Sequence, residues 1–205
     1  MSNEANAVQA VTLPLRIIVI EASLNPKSRS TALAQQLYAR MVEFGLPAKL
    51  IDLREYNLPI CDGTEASMAH PMVEELRKEF RTATHIIFGV PIYNYHVNAA
   101  VKNMVELVFA WGSWAGGKRS DAEGKIVGFI CSAGGKSSYM SVIPFANSLM
   151  LDCRIWICPR FVYATKEDMG TPDLAQRIDR LIDDMLGMGP VAEHPWRKAL
   201  AAKQP

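Results

Sequence analysis

Net charge is what this sequence lacks most plainly: 22 Lys and Arg stand against 21 Asp and Glu, leaving +1. No Lys/Arg run exceeds two residues. That excludes the basic face by which a protein holds nucleic acid or an anionic membrane surface. No apolar run approaches the roughly 20 residues that a membrane-spanning helix needs. Cysteine is scarce, at positions 61, 131, 153 and 158 of 205. None forms a CxxC pair or a Cys/His ligand spacing, which excludes the common zinc and dithiol motifs. A core of this size needs no disulfide framework, so reduced thiols in a cytoplasm are expected. Residues 1–12 lack a basic start followed by an apolar block, so no secretory leader is expected there. Internal repeats and low-complexity segments are absent too.

The chain does have apolar residues in a regular order. At 49% of the sequence they suffice for a sizeable core, and 205 residues fit one domain. Strand-like runs alternate with segments of helical period from one end to the other. Leu15–Ile20, Ala48–Leu53, His85–Val90, Lys125–Cys131 and Arg154–Cys158 read as buried strands. Helices are predicted from Ser30 to Phe44, from Pro71 through Phe80, from Val97 to Ala110, from Ser137 to Met150 and from Thr171 through Met185. Pro144 either kinks the fourth of these or marks its true start. Asn57–Ala69 and Trp111–Gly124 read as loops.

Strands and helices in strict alternation give an α/β fold: a doubly wound five-stranded parallel sheet with helices on both faces. The flavodoxin-like order 2-1-3-4-5 is expected over residues 14–187, after a flexible lead-in at 1–13 and before an irregular tail at 188–205. Ligands of such sheets bind beyond the carboxyl ends of the strands, where the order reverses. The loops after strands 1, 3 and 4 should therefore converge.

The first of these loops, Ala22–Thr31, places Ser23, Ser28, Arg29, Ser30 and Thr31 at a strand-to-helix turn. Hydroxyls, a guanidinium and the unpaired N–H groups of a helix start suit a phosphate. Alone, it is equally an ordinary polar loop with Ser30 as N-cap. The second, Pro91-Ile92-Tyr93-Asn94-Tyr95-His96, offers a wall for a planar ring, or tyrosines that merely cover the sheet end. The third, Ser132-Ala133-Gly134-Gly135, would let backbone N–H groups approach a ligand closely, or is only a turn. Together they point to one ligand with a phosphate at one end and a flat polar heterocycle at the other, which describes flavin mononucleotide (FMN).

From about Leu15 to Ala164 the chain resembles the NADPH-dependent FMN reductase family of flavin, quinone, azo and chromate reductases. The resemblance is carried by Ser23-Leu24-Asn25-Pro26-Lys27-Ser28-Arg29-Ser30, by Pro91-Ile92-Tyr93-Asn94 with Lys102-Asn103, and by Ser132-Ala133-Gly134-Gly135. It implies that Ser23, Ser28, Arg29 and Ser30 hold the FMN phosphate. It implies ring contacts for Pro91, Ile92, Tyr93 and Asn94, and contacts at the pyrimidine end for Ser132, Gly134 and Gly135. Lys102 and Asn103 match the family but are read as structural. The family usually has glycine where this chain has Ala22; if that position requires positive φ, alanine is strained there.

The activity implied is oxidation of NADPH or NADH through FMN, then reduction of a flavin, quinone, azo compound or metal oxyanion in a ping-pong cycle. A flavodoxin-type electron carrier is the alternative, though such carriers are usually strongly acidic where they dock. No catalytic side chain is assigned, because the flavin carries the redox chemistry itself; His96, the only histidine near the site, is the one candidate proton donor. No metal site, nucleic acid or membrane is expected. The family commonly forms dimers or tetramers, so a homodimer or homotetramer is expected; Trp111 and Trp114, with Val108 and Phe109, read as core, interface or substrate lid, and part of Phe109 to Trp114 is expected at a subunit contact near the flavin.

Overall fold

The computed structural model describes residues 14–109 and 120–188. The lead-in, the tail beyond Met188, Trp111 and Trp114 lie outside the described residues. Strand β1 (Ile17–Glu21) pairs in parallel with β2 (Ala48–Asp52) on one side and β3 (His85–Tyr93) on the other. β3 pairs in parallel with β5 (Ile126–Ser132), in a register that sets His85 beside Ile126 and Pro91 beside Ser132. The outermost position is shared by two short strands, β6 (Trp156–Ile157) and β7 (Val162–Ala164), both parallel to β5. The expected order 2-1-3-4-5 is thus present, with the fifth strand in two pieces. Pro159 falls in the gap between them, where a residue without an N–H cannot continue a ladder. One further strand, β4 (His96–Val97), folds back antiparallel on the end of β3.

The sheet separates two apolar layers because successive strand residues point to opposite faces. Ile17 and Val19 face α1 (Arg29–Glu43) and α6 (Pro172–Gly187), packing with Leu33, Leu37, Leu181 and Ile182. Ile18, Ile20 and Phe88 face α3 (Pro71–Thr82), α4 (Ala99–Val108) and α5 (Ile143–Cys153). On this side Phe80, Phe88, Phe109, Phe129 and Phe145 form one aromatic cluster, with the Phe80 and Phe109 rings edge to face at 4.9 Å. Val108 and Phe109 therefore belong to the core, at 2% and 0% exposure, and not to a subunit contact. The helical spacing that made them conspicuous is the spacing by which α4 reaches the sheet.

Three helix starts differ from expectation for local reasons. Ser28, not Ser30, caps α1, its hydroxyl accepting the Ser30 N–H. Helix α4 begins at Ala99, because His96 and Val97 are held in the hairpin. Helix α5 begins at Ile143 with Pro144 in its first turn, so the proline marks a start and not a kink. The expected loop at 57–69 contains one helical turn, α2 (Glu65–Met68), capped by Thr64.

Gly89 sets how closely α1 lies on the sheet. A Cβ there would stand 2.7 Å from the Ala34 Cβ and 2.9 Å from the Ile20 carbonyl oxygen. Only glycine permits that approach, and it brings the start of α1 down to the carboxyl edge of β1 and β3.

Candidate active site

At that edge the loop after β1 is wound tightly on itself. Ala22 is fully buried; its N–H donates to the Gly89 carbonyl at 3.1 Å, and its own carbonyl accepts from Asn98 Nδ2 at 2.7 Å. Among the described residues only Asn94, Tyr95 and Arg154 are non-glycine residues with positive φ. Alanine at position 22 is therefore unstrained. The Ser23 hydroxyl accepts the Asn25 N–H at 3.2 Å, and the Asn25 side chain and backbone carbonyls accept from Lys27 N and Ser28 N, both at 3.0 Å. The Ser28 and Ser30 hydroxyls lie 2.8 Å apart.

This winding sorts the predicted residues. Ser23 and Ser30 are buried, at 1% and 0% exposure, and shape the loop from inside. Ser28 and Arg29, with Asn25 and Lys27, face a groove of about 350 Å³. Arg29 crosses that groove's floor: Nε donates to Ser132 Oγ at 3.2 Å and Nη2 to the Ala133 carbonyl at 3.0 Å. The guanidinium thus ties the first loop to the third.

The second loop supplies the opposite wall through Pro91, Ile92 and Tyr93, and the third contributes Ser132, Ala133 and Gly134. Asn94 and Gly135 stand beyond the lining. Asn94 occupies the hairpin turn at φ +49°, and His96 is exposed in β4. Gly134 and Gly135 have no neighbour within 4 Å of an added Cβ and no positive φ. Neither is required to be glycine by packing among the described residues. The Gly135 carbonyl is held by the Tyr163 hydroxyl, which lies 2.7 Å from the Ser138 hydroxyl.

Tyr163 and Asn98 hold the backbone of these loops and are not among the residues expected at the site. Tyr163 lies in β7, beyond the expected end of the fifth strand; the β-prone run Phe161-Val162-Tyr163 is the signal for it. Asn98 precedes α4 as an N-cap residue without a cap hydrogen bond, its amide serving Ala22 instead.

A second, larger groove of about 710 Å³ lies on the β2 side of the same loop. Leu24 borders it, with Leu53, Leu58 and Ile60 from the segment after β2 and Ala99 and Ala100 from α4. Asn103 straps this segment to α4, accepting the Cys61 N–H and donating to the Pro59 carbonyl, both at 2.8 Å. Lys102 pairs with Glu106 one turn on. Asn103 thus has a structural contact, while Lys102 makes a surface ion pair, and both line the larger groove. At the end of β1, buried Glu21 receives Arg54 Nη2 at 2.9 Å. Burial raises its pKa, opposed by a hydrogen bond from Gln35. Burial likewise pushes up the thiols of Cys131, Cys153 and Cys158, so none is a thiolate nucleophile near neutral pH.

Residues 15–168 match the family model of NADPH-dependent FMN reductases. An NAD(P)H-dependent FAD/FMN reductase of Geobacillus thermodenitrificans is 21% identical over 146 residues, covering 68% of this chain and 74% of that one. An FMN-dependent NADH:quinone oxidoreductase of Shewanella frigidimarina is 28% identical over 107 residues; the match spans 45% of this chain and about half, 54%, of that relative. Among solved structures, the flavoenzyme NAD(P)H:(acceptor) oxidoreductase FerB from Paracoccus denitrificans superposes with a TM-score of 0.67 at 16% identity, over 86% of this chain and 100% of that one. An apo NADH:FMN oxidoreductase gives 0.65 at 12% identity, over 93% and 100%. These structures share the fold. With three quarters of its length matched by the family model, the chain belongs to the NADPH-dependent FMN reductase family, and it is an NAD(P)H-dependent flavin oxidoreductase whose cofactors are FMN and NAD(P)H.

Proposed function

We propose that FMN lies in the 350 Å³ groove, with its phosphate at the start of α1 and its ring between the second and third loops. The observation that carries this is the convergence of three separated segments on one groove: Asn25–Arg29, Pro91–Tyr93 and Ser132–Gly134. The donor set fits the group. At one end are the first turn of α1, the Ser28 hydroxyl, the Lys27 ammonium and the Arg29 guanidinium, all suited to a phosphate. At the other are an apolar and aromatic wall and the backbone of Ser132–Gly134, suited to a polar heterocycle. FMN held there would supply the redox chemistry between NAD(P)H and an acceptor, the two half-reactions being separate in a ping-pong cycle. The chain's own part is to orient. Arg29 fixes the distance between the phosphate end and the ring end by its bonds to Ser132 and Ala133, and Tyr163 fixes the carbonyl of Gly135.

The acceptor is a small molecule: free flavin, a quinone, an azo compound or a metal oxyanion. The enzyme acts in the cytoplasm as a homodimer or homotetramer. Support for the assembly comes from Leu24 and Ile60, 61% and 79% exposed beside the apolar groove, since a monomer seldom leaves such surface open. Titration of the apoprotein with FMN and with riboflavin tests the site: FMN binds the tighter if α1 takes the phosphate, and equal affinities overturn that placement. Steady NADPH consumption with an added quinone separates an enzyme from an electron carrier. A light-scattering mass near 22.7 kDa would overturn the assembly.

A further inference from the structure

The hairpin joining β3 and β4 turns on two residues, and both have positive φ: Asn94 at +49° and Tyr95 at +60°. A type I′ hairpin turn requires this, and Asn-Gly is the usual occupant. Asparagine tolerates the left-handed region; a bulky aromatic residue there is a genuine outlier. Such strain persists where something offsets it. Packing among the described residues offers little to offset it. The Tyr95 side chain is not buried, at 65% exposure. Among the described residues its hydrogen-bond partner is the Ser137 hydroxyl, 3.4 Å from the phenol oxygen, a long hydrogen bond.

What Tyr95 does have is position. Tyr93, two residues before it, lines the groove, and Ser137 follows Gly134, which lines the facing side, by three residues. The ring therefore spans from the tip of the second loop to the turn after the third. Tyr93 is 53% exposed on the same hairpin, and Tyr139 is 52% exposed after the third loop, its ring 5.2 Å from that of Phe161. Tyr93 thus lines the groove itself, while Tyr95 and Tyr139 stand exposed on the two segments that continue from its walls.

We propose that Tyr95 determines acceptor specificity, its ring giving a planar aromatic acceptor such as a quinone a face to stack on at the mouth of the groove. The proposal rests on the placement of FMN in that groove. The hairpin turn fixes where the Tyr95 backbone stands, and the 3.4 Å contact to Ser137 directs its ring toward the turn after the third loop. Stacking is also indifferent to charge, so the platform favours planar aromatic acceptors over small inorganic ones.

The test compares Tyr95→Asn and Tyr95→Phe with wild type, using menadione, a planar naphthoquinone, and ferricyanide, which has no aromatic face. Asparagine keeps the residue type that the turn prefers and removes the ring; phenylalanine keeps the ring and removes the contact to Ser137. Tyr95→Asn should raise the KM for menadione about tenfold, the loss of one aromatic stack, and lower the menadione-to-ferricyanide ratio of kcat/KM by the same factor. Tyr95→Phe should stay within about twofold of wild type on both, since the stacking face is intact. A menadione KM in Tyr95→Asn that matches wild type, with FMN affinity unchanged, overturns this proposal alone. A Tyr95→Phe as impaired as Tyr95→Asn overturns it in favour of a latch through Ser137. A wild-type protein that binds no FMN overturns the placement of the cofactor, and this proposal with it.

Discussion

The two grooves flanking the Ser23–Ser28 loop differ in a way that volume does not reveal. The one toward β2 is twice as large, about 710 against 350 Å³, yet its walls come from one segment after β2 and one helix, with Leu24 at the border. Three of its polar groups are already engaged: Asn103 with the backbone at 59–61, Lys102 with Glu106, and Arg54 with Asp52 and Glu21. The smaller groove draws on three strand ends that are distant in sequence and adjacent in the sheet. A doubly wound sheet brings such ends together only where its order reverses, between β1 and β3. Empty space is easily left between a loop and a helix; convergent polar groups need topology.

The largest expected effect removes both grooves at once and so gives the baseline for the comparison. His85, at the opposite end of β3, is 2% exposed, with Nε2 3.1 Å from the Met185 carbonyl and Nδ1 2.9 Å from Thr84 Oγ1. Burial, only partly offset by the Met185 carbonyl, lowers its pKa from 6.5 to about 4. The neutral form is thus the folded form. The stability contributed is fully present above pH 6.5 and is lost as pH falls through about 4, some 3 kcal/mol in all. Urea unfolding at pH 7 and pH 4.5 should show this loss in wild type and a much smaller one in His85→Leu. FMN release should track unfolding. FMN released at a higher pH than unfolding begins would locate the acid-sensitive group in a groove instead.

Next in size comes the contrast between the cations of the two grooves. Arg29→Ala should weaken FMN binding by about 1.5–3 kcal/mol, the range for a lost charged hydrogen bond, while Lys102→Ala should leave it unchanged. Riboflavin gives the finer reading. Because Arg29 also ties the first loop to Ser132 and Ala133, riboflavin should weaken too, by less than FMN. Equal losses for both ligands would make Arg29 a strap alone.

The sheet and its order were legible in the sequence because near-continuous runs such as Leu15–Ile20 mark strands buried on both faces. The loops that meet were legible from that order. Less legible was the division of labour inside each loop. Ser23, Ser28 and Ser30 look alike as residues, and only the winding around Asn25 decides that Ser28 faces the groove while the other two face inward. Val108 and Phe109 mislead because large apolar side chains at a helix end read the same whether they enter the core or cover a partner. The backbone at Tyr95 was not legible at all, since a tyrosine is the last residue expected at φ +60°.

Two smaller effects sharpen the contrast from each side. Asn103→Ala removes two hydrogen bonds that hold the segment at 59–61 on α4, so it should cost about 1–3 kcal/mol of stability and loosen the larger groove without changing FMN affinity. Tyr163→Phe is the converse and the smallest. It removes one hydroxyl, which donates to the Gly135 carbonyl beside the smaller groove. The protein should lose about 0.5–1.5 kcal/mol net: the bonds to the Gly135 carbonyl and the Ser138 hydroxyl both go, and the half-buried Ser138 hydroxyl turns to water. With that carbonyl released, the turn after Ser132 gains freedom that binding must remove, so FMN affinity should fall by a few-fold, and riboflavin affinity equally, because the phosphate end is untouched. Paired titrations of both variants decide the matter. If Asn103→Ala moves FMN affinity and Tyr163→Phe does not, the cofactor belongs to the larger groove and the division drawn between the two is reversed.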